Sequence, residues 1–340
     1  MGSVKDLEVL RKPTKGEMGI GRFHFSDRYS VFDWGEMPDP IENKGSVLCT
    51  MGAYCFERLE EKGIKTHYRG LIQDGKLVKT SELKAPTSTM EISLVRVFPP
   101  KAHNVAGKLK YDYSIFEQNL ANFLIPLEII YRNGLPEGSS VFDRLKAGLK
   151  PEDLGLNHFP RPGERLENPI FDVSTKLEVR DRYVTWADAQ GLAGLSNNEI
   201  GEIKDILVHI DDLITETASK AGLENEDGKV EFGFDPNRKP MVVDVVGTLD
   251  ECRFTYKGVH VSKEISRQYY KGTNWYKDMV EAKKEASSKG VKDWKSLCQS
   301  TPPKLDRHLK KKISEVYMAA ANELTELYLF DVTSLDDILA

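Results

Sequence analysis

The strongest constraint on the fold is a pair of strand-like runs joined by a short polar turn. Apolar and polar side chains alternate over residues 229–234, and a second, largely apolar run covers residues 241–246. Alternation with a period of two is typical of a strand with one core face and one polar face. The intervening residues 235–240 are rich in turn formers. We therefore predict an antiparallel hairpin.

The simplest register of this hairpin brings two carboxylates together. It places Phe234 opposite Met241 and, counting back, Glu231 opposite Asp244. Like charges that face each other across strands destabilise a sheet unless a cation lies between them, and carboxylate oxygens suit Mg²⁺ bound to nucleotide phosphates. Lys229 shares this face and could reach a phosphate. The alternative is an exposed polar face on which Lys229 neutralises Glu231.

Length and element order give the fold class. A chain of 340 residues exceeds the size at which one hydrophobic core stops growing, so two lobes around a cleft are expected. Strand patterns come first, followed by mixed strands and helices, which favours an α+β chain with largely antiparallel sheets over a doubly wound parallel sheet. The predicted strands are 20–25, 29–34, 64–71, 88–98 and 127–132, and the predicted helices are 46–62, 196–222 and much of the chain after 274.

Charge and cysteine content narrow the class of protein. The formal net charge of -5 argues against a nucleic-acid or anionic membrane surface, although it allows a local basic pocket. The charged first 15 residues and the lack of long apolar stretches favour a cytoplasmic protein without a membrane span. Whether it forms a homo-oligomer is left open. The cysteines form no C-x-x-C pair and are expected to be reduced thiols: Cys49, Cys55, Cys252 and Cys298.

Three further segments could bind anions. Arg132 ends an apolar run and precedes a loop containing Gly138 and Ser139, and an arginine with hydroxyl and backbone N–H groups can hold a phosphate. The alternative is an arginine paired with a nearby acid beside an ordinary loop. The second segment is a glycine loop, with Gly19, Gly21 and Arg22, that lacks both the Walker and the G-x-G-x-x-G order. The third is a later polar series that could clamp substrate carboxylates: Asp250, Arg253, Lys263 and Arg267. The alternative for each member of this series, taken alone, is a solvated surface charge.

Several of these segments resemble the SAICAR synthetase family. Residues 227–233 fit the D-x-K-[apolar]-E-F-G segment of that family, and residues 126–133, followed by Gly138 and Ser139, are similar to its P-[apolar]-E-V-[apolar]-x-R-N…A-G-S segment. Residues 43–45, 59–67 and 174–178 also resemble family segments in the same order. The resemblance covers about residues 15–267.

The resemblance implies a two-lobed α+β fold, with a small antiparallel-sheet, kinase-like nucleotide lobe and a larger mixed α/β substrate lobe. The corresponding ranges are 1–112, 113–272 and a C-terminal helical extension, 273–340, packed on the second lobe. It also implies catalytic residues Lys229, Glu231 and Asp244, with Glu231 and Asp244 holding Mg²⁺; ATP-binding residues Gly19, Gly21, Arg22, Lys176, Lys229 and Glu231; and substrate-binding residues Lys44, Arg132, Ser139, Asp250, Arg253 and Arg267.

The implied activity is ATP-dependent amide formation between L-aspartate and carboxyaminoimidazole ribotide (CAIR). The alternatives are a phosphotransferase with a similar nucleotide lobe and a nucleotide-binding homologue that has lost catalysis. A phosphotransferase would share the metal-binding hairpin but need no aspartate, whereas loss of catalysis is motivated by departures from the family pattern. The family segment D-E-x-[ST]-P-D-x-x-R appears here as residues 244–253 without its second acid or its proline, and the chain carries additions at 100–113 and after 274.

Overall fold

A first antiparallel sheet organises the N-terminal part of the protein. The structure is a computed structural model that describes residues 4–105, 108–179, 181–291 and 293–340. The strands of this sheet are β1 (Lys5–Arg11), β2 (Gly19–Phe25), β3 (Tyr68–Gln73), β4 (Lys76–Val78) and β5 (Thr89–Leu94), in the order β1-β2-β5-β3-β4. The 100–113 addition forms a separate hairpin of β6 (Lys101–Val105) and β7 (Lys108–Asp112).

A second sheet carries most of the predicted site residues. Its strands are β8 (Phe123–Leu135), β9 (Glu164–Thr175), β10 (Tyr183–Val184), β11 (Leu223–Phe234), β12 (Pro240–Val243), β13 (Cys252–Tyr256) and β14 (Val259–His260). The order is β10-β9-β8-β11-β13-β14, and β12 pairs with β11. Side chains of Val230, Phe232 and Phe234 on β11 are buried in the core, as their alternation predicts.

The helices cover these sheets. The helix predicted from its capping box is confirmed: the Ser196 hydroxyl accepts from the Glu199 N–H at 3.3 Å, and the Glu199 carboxylate accepts from the Ser196 N–H at 2.8 Å. The helices are α1 (Lys44–Glu61), α2 (Ser140–Lys146), α3 (Trp186–Ala193), α4 (Asn197–Lys220), α5 (Glu264–Lys271), α6 (Asn274–Lys289), α7 (Arg307–Thr325) and α8 (Leu335–Leu339). Within the described ranges, no helix is long and apolar enough to cross a bilayer.

The two sheets meet at β12. The Val242 N–H donates to the Lys65 carbonyl at 2.9 Å, and the His67 N–H donates to the Val242 carbonyl at 3.0 Å. His67 in turn accepts at its carbonyl from Ser93 of β5 at 2.7 Å. Helix α7 packs against both α1 and α4, so the C-terminal extension contacts elements from both of the predicted lobes. The architecture confirms the predicted α+β class with antiparallel sheets.

The predicted hairpin register is wrong by one residue. Phe234 pairs with Pro240, and Glu231 pairs with Val243 rather than with Asp244. Because side chains alternate along a strand, this slip alone would send Asp244 to the opposite face. Asp244, however, follows β12 with φ at +65°, outside the strand conformation. Its carboxylate is near enough to Glu231 to raise the pKa of that residue, as described below.

Residues 29–34 form a loop instead of the predicted strand. Strand β2 pairs with β1, which the sequence analysis did not predict, and with β5. The loop places its aromatic side chains against the C-terminal helices: the Tyr29 and Tyr270 hydroxyls are 2.7 Å apart, and the Trp34 ring is 5.3 Å from that of Trp275. Burial of aromatic surface thus outweighs strand pairing in this segment.

Candidate active site

A cluster of acidic and basic side chains lies where β8 and β11 run side by side. Glu231 is directly opposite Glu128, so the carboxylate that faces Glu231 across the strands is Glu128. Lys176 bonds Glu128 at 2.9 Å and also forms an ion pair with Glu231, while Lys229 bonds Glu128 at 3.0 Å. Together with Asp244, these residues are called the carboxylate–lysine cluster below.

The pKa values of the two glutamates of this cluster are shifted in opposite directions. Burial opposes ionisation of Glu128, but Lys229 and Lys176 outweigh it and lower the pKa of that carboxyl. Burial and the nearby Asp244 carboxylate raise the pKa of Glu231 despite its contact with Lys176. The negative charge at Glu231 is therefore incompletely compensated by the protein.

Asp244 completes a pair of carboxylates that suits a divalent cation. Lys5 of β1 contacts its carboxylate at 2.8 Å, and although burial acts against it, Lys5 and Lys176 lower the pKa of Asp244. Mg²⁺ is typically held by one or two carboxylates together with nucleotide phosphates, so Glu231 and Asp244 fit it. Among the described residues, no group of three or more His, Cys, Asp or Glu side chains forms a metal site made of protein ligands alone.

A row of arginines and an aspartate crosses the same sheet. Asp227 on β11 pairs in register with Arg132 on β8 and with Arg253 on β13. Its carboxylate accepts from Arg132 Nη1 at 3.1 Å and from Arg253 Nε at 2.8 Å, with a second contact from Arg253 Nη2. Arg132 also bonds Asp172 at 3.2 Å and the Tyr183 hydroxyl at 3.2 Å. Asp227 thus fixes the orientation of both guanidinium groups.

These arginines lie at a pocket of about 680 Å³ that we call the main pocket. The loop before α2 contributes to its wall, and Ser139 caps that helix by accepting from the Val141 N–H at 3.4 Å. Lys229 lines the main pocket as well and joins it to the carboxylate–lysine cluster. Seven of the candidate residues named from the sequence line this pocket: Arg132, Ser139, Lys229, Asp250, Arg253, Lys263 and Arg267.

Asp250 is held on the pocket wall by a buried network. Its carboxylate accepts from Lys44 Nζ at 2.7 Å and from the Tyr317 hydroxyl of α7 at 3.0 Å, and Lys263 lies 3.5 Å away. Burial opposes ionisation of Asp250, yet Lys263 and Lys44 outweigh it and lower the pKa of that carboxyl. Burial and repulsion by Lys263 lower the pKa of Lys44, because Lys44 has one carboxylate partner while Asp250 has two cations.

The predicted ATP-binding residues on β2 do not line the main pocket, whereas Arg267 does and bonds Glu264 at 3.1 Å. Gly19 and Gly21 belong to β2, where a Cβ at Gly19 would be 2.3 Å from the Arg11 carbonyl, so the glycines allow the close approach of β1. Arg22 bonds Glu91 of β5 at 3.3 Å. Roles for these three N-terminal residues in ATP binding stay predictions.

Sequence reasoning missed several members of the site. Glu128 lies in a segment that was recognised, but no role was assigned to it because its partners come from other strands. Burial and the Glu128 carboxylate raise the pKa of Asp181 to about 6. Glu251 contacts Lys229 at 3.3 Å. A useful signal would have been the row Arg132–Asp227–Arg253, since opposite charges on adjacent strands often pair.

The fold and the site define an α+β protein with two antiparallel sheets and a polar cleft suited to phosphorylated anions. A family model described as SAICAR synthetase matches residues 14–289. The chain therefore belongs to the SAICAR synthetase family.

Similar proteins carry names consistent with this family. A relative from Archaeoglobus fulgidus, named "Putative phosphoribosylaminoimidazole-succinocarboxamide synthase", is 48% identical over 341 residues, covering 100% of this chain and 98% of the relative. A SAICAR synthase from Saccharomyces cerevisiae complexed with SAICAR has a TM-score of 0.60 at 19% identity, covering 96% of this chain and 93% of that one. A type-2 SAICAR synthetase in complex with ADP has a TM-score of 0.56 at 21% identity, covering 90% and 99%. The two structural similarities confirm the predicted fold.

Proposed function

We propose that this chain is an ATP-dependent ligase of purine biosynthesis. It joins L-aspartate to the carboxylate of CAIR and yields the succinocarboxamide SAICAR, ADP and phosphate. The observation that carries the proposal is the position of Lys229, which lines the main pocket and also bonds Glu128 of the carboxylate–lysine cluster. A pocket suited to an anionic ribotide thus adjoins groups suited to nucleotide phosphates. Membership of the family supports the same reaction.

The reaction requires activation of the CAIR carboxylate, because direct attack by an amine would have to expel oxide. Transfer of the γ-phosphoryl group breaks its bond to ADP and forms a bond to a carboxylate oxygen. The aspartate amine, after losing a proton, then attacks the carbonyl carbon, and phosphate leaves with that oxygen. Lys176 and Lys229 would spread the charge of the transferring phosphoryl group.

Glu231 and Asp244 would hold Mg²⁺ at this site. When bound, Mg²⁺ would neutralise charge on the nucleotide phosphates. The raised pKa of Glu231, caused by burial and by Asp244, supports this role because a carboxylate with excess local negative charge is a favourable cation ligand. Lys5 contacts Asp244 and Lys176 contacts Glu231, so these lysines would limit the excess negative charge when no nucleotide is bound.

The main pocket would hold the ribotide. Arg132, Ser139 and Arg253 would bind its phosphate, with Asp227 keeping both guanidinium groups in place. Lys44, Asp250 and Arg267 would complete the substrate pocket. Fixing the CAIR carboxylate, which accepts the phosphoryl group, close to the nucleotide lowers the entropic cost of the transfer, which is the main contribution that a positioning site can make.

The test is an assay of ADP release in which each substrate is omitted in turn, with the product identified by mass. We expect ADP release only when ATP, CAIR, L-aspartate and Mg²⁺ are all present, and a product that contains the aspartate skeleton. ADP release that needs another acceptor but no aspartate would instead indicate a phosphotransferase. ATP binding without any aspartate-dependent turnover would indicate a homologue that has lost catalysis.

A further inference from the structure

The turn at Phe32 and Asp33 has a backbone that needs support. Both residues are in the left-handed region, with φ at +55° and +59°. Side-chain-bearing residues seldom adopt this conformation, and two in succession persist only where the surrounding structure holds them. Strained backbone of this kind is often found beside ligand sites, which directs attention to what holds this turn and what it faces.

Helix α6 of the C-terminal extension holds the turn. Lys283 Nζ donates to the Phe32 carbonyl at 2.8 Å and contacts Asp33 Oδ2 at 2.9 Å. The Lys283 ammonium also lies over the Trp294 ring, 4.8 Å from its centroid, which restricts the lysine side chain. The Phe32 ring packs 4.9 Å from that of Tyr276. One lysine thus bridges both residues of the turn.

The turn also forms part of the wall of the main pocket. Phe32, Asp33 and Tyr276 all line it, and the Asp33 side chain is 86% exposed. Asp33 is close enough to Asp181 to contribute, after burial and Glu128, to the raised pKa of that carboxyl. The turn and Lys229 of the carboxylate–lysine cluster therefore line the same pocket.

The charge of Asp33 suits one group among the substrates of the proposed reaction. ATP, CAIR and L-aspartate all carry anionic groups, and of the three only L-aspartate also carries an ammonium group. The amino group of L-aspartate is a cation until it loses its proton. A carboxylate on an exposed wall of the pocket attracts that ammonium group.

We propose that Asp33 binds the amino group of the amino-acid substrate and that Lys283 is a positioning residue that holds the 32–33 turn. This inference rests on the proposed ligase function. It assigns the C-terminal extension a part in the site: α6 determines where the amine-binding carboxylate stands.

The experiment compares Asp33→Asn, Lys283→Ala and Lys283→Arg with the unaltered protein. For each, KM and kcat are measured for aspartate, CAIR and ATP, and hydrogen exchange is followed in a peptide covering residues 29–37. Asp33→Asn is expected to raise KM for aspartate about tenfold with unchanged exchange, because Lys283 still holds the Phe32 carbonyl. Lys283→Ala is expected to raise both that KM and the exchange rate about tenfold, and Lys283→Arg to restore most of each.

Lys289→Ala is the matched control, since Lys289 lies on the same helix and is paired only with Glu285 among its described contacts. It should change neither KM nor exchange. An unchanged aspartate KM in Asp33→Asn, or equal rises in KM for all three substrates, would refute the role of Asp33. Unchanged exchange in Lys283→Ala would refute the positioning role. If the unaltered protein shows no aspartate-dependent turnover, the proposed function and the amine assignment fail together, while exchange still decides the role of Lys283.

Discussion

Replacing Glu231 by glutamine should raise stability while removing activity. The change keeps the shape of the side chain but removes a negative charge whose pKa is raised by burial and by Asp244. Lys176 loses one ion pair but keeps Glu128 at 2.9 Å, so its ammonium stays paired. Charges in contact within one network interact by about 0.5–3 kcal/mol. Because the pKa of Glu231 is raised, the combined cost of its burial and of repulsion by Asp244 and Glu128 outweighs its attraction to Lys176 and Lys229. We expect a net gain of about 1 kcal/mol in the free energy of unfolding.

The sign of the pH dependence follows from the raised pKa. Between the ordinary glutamate value of 4.5 and its higher value in the folded protein, Glu231 binds more protons folded than unfolded, so its contribution to stability is lost as pH rises through that window. The advantage of Glu231→Gln should therefore be present at pH 8 and vanish near pH 4. Calorimetry at both values measures it, as a rise in Tm of about 2 °C at pH 8.

Glu128→Gln is the matched comparison, since Glu128 shares the same lysines but has a lowered pKa. Burial acts against its charge, but Lys229 and Lys176 outweigh burial. Ionised Glu128 therefore stabilises the fold at pH values above the ordinary glutamate pKa, and this contribution is lost as the pH falls. Its replacement should lower stability at pH 8 by about 1–3 kcal/mol.

Glu231→Gln should also reduce kcat by about 100- to 1000-fold at saturating Mg²⁺. Lower stability in Glu231→Gln at pH 8, or retained turnover, would refute the reasoning.

Two further substitutions test the main pocket. Lys44→Met leaves the buried Asp250 carboxylate with Lys263 at 3.5 Å as its cation partner. We expect the free energy of unfolding in urea to fall by about 3 kcal/mol, the lower end for a broken buried ion pair. Unchanged stability would contradict the network. Arg253→Lys replaces a guanidinium fork on Asp227 by a point charge, and should raise KM for CAIR about tenfold with KM for ATP unchanged; an equal rise in both would contradict phosphate binding.

The parts of the site that could be predicted are those encoded by local pattern. Alternation over residues 229–234 gave the correct faces of β11, and the capping box at Ser196 gave the start of α4. The motif at 126–133 led to Arg132, whose strand is β8. In each case the physical signal is confined to one strand or one helix turn, so neighbouring residues are sufficient to determine it.

The parts that could not be predicted depend on residues far apart in the chain. The facing pair Glu128 and Glu231 requires the β8–β11 register, which no hairpin turn fixes. Lys44 and Asp250 are 206 residues apart. Asp244 adopts φ of +65°, a conformation that intrinsic preference disfavours for a residue with a side chain and that only its surroundings can impose. Local reasoning therefore found Glu231 and Asp244 but missed Glu128, and so assigned the wrong opposing pair.

The altered segment 244–250 keeps both of its aspartates in place because distant elements hold them. Lys5 of β1 contacts Asp244, and Tyr317 of α7 bonds Asp250 together with Lys44. Lys5 and Tyr317 both lie outside the residues 14–289 that the family model matches. Loss of the segment's proline and second acid removes local constraints on its conformation, whereas these contacts restrain the two carboxylates from outside the segment. The N-terminal strand and the C-terminal extension thus help to position the two aspartates of the altered segment.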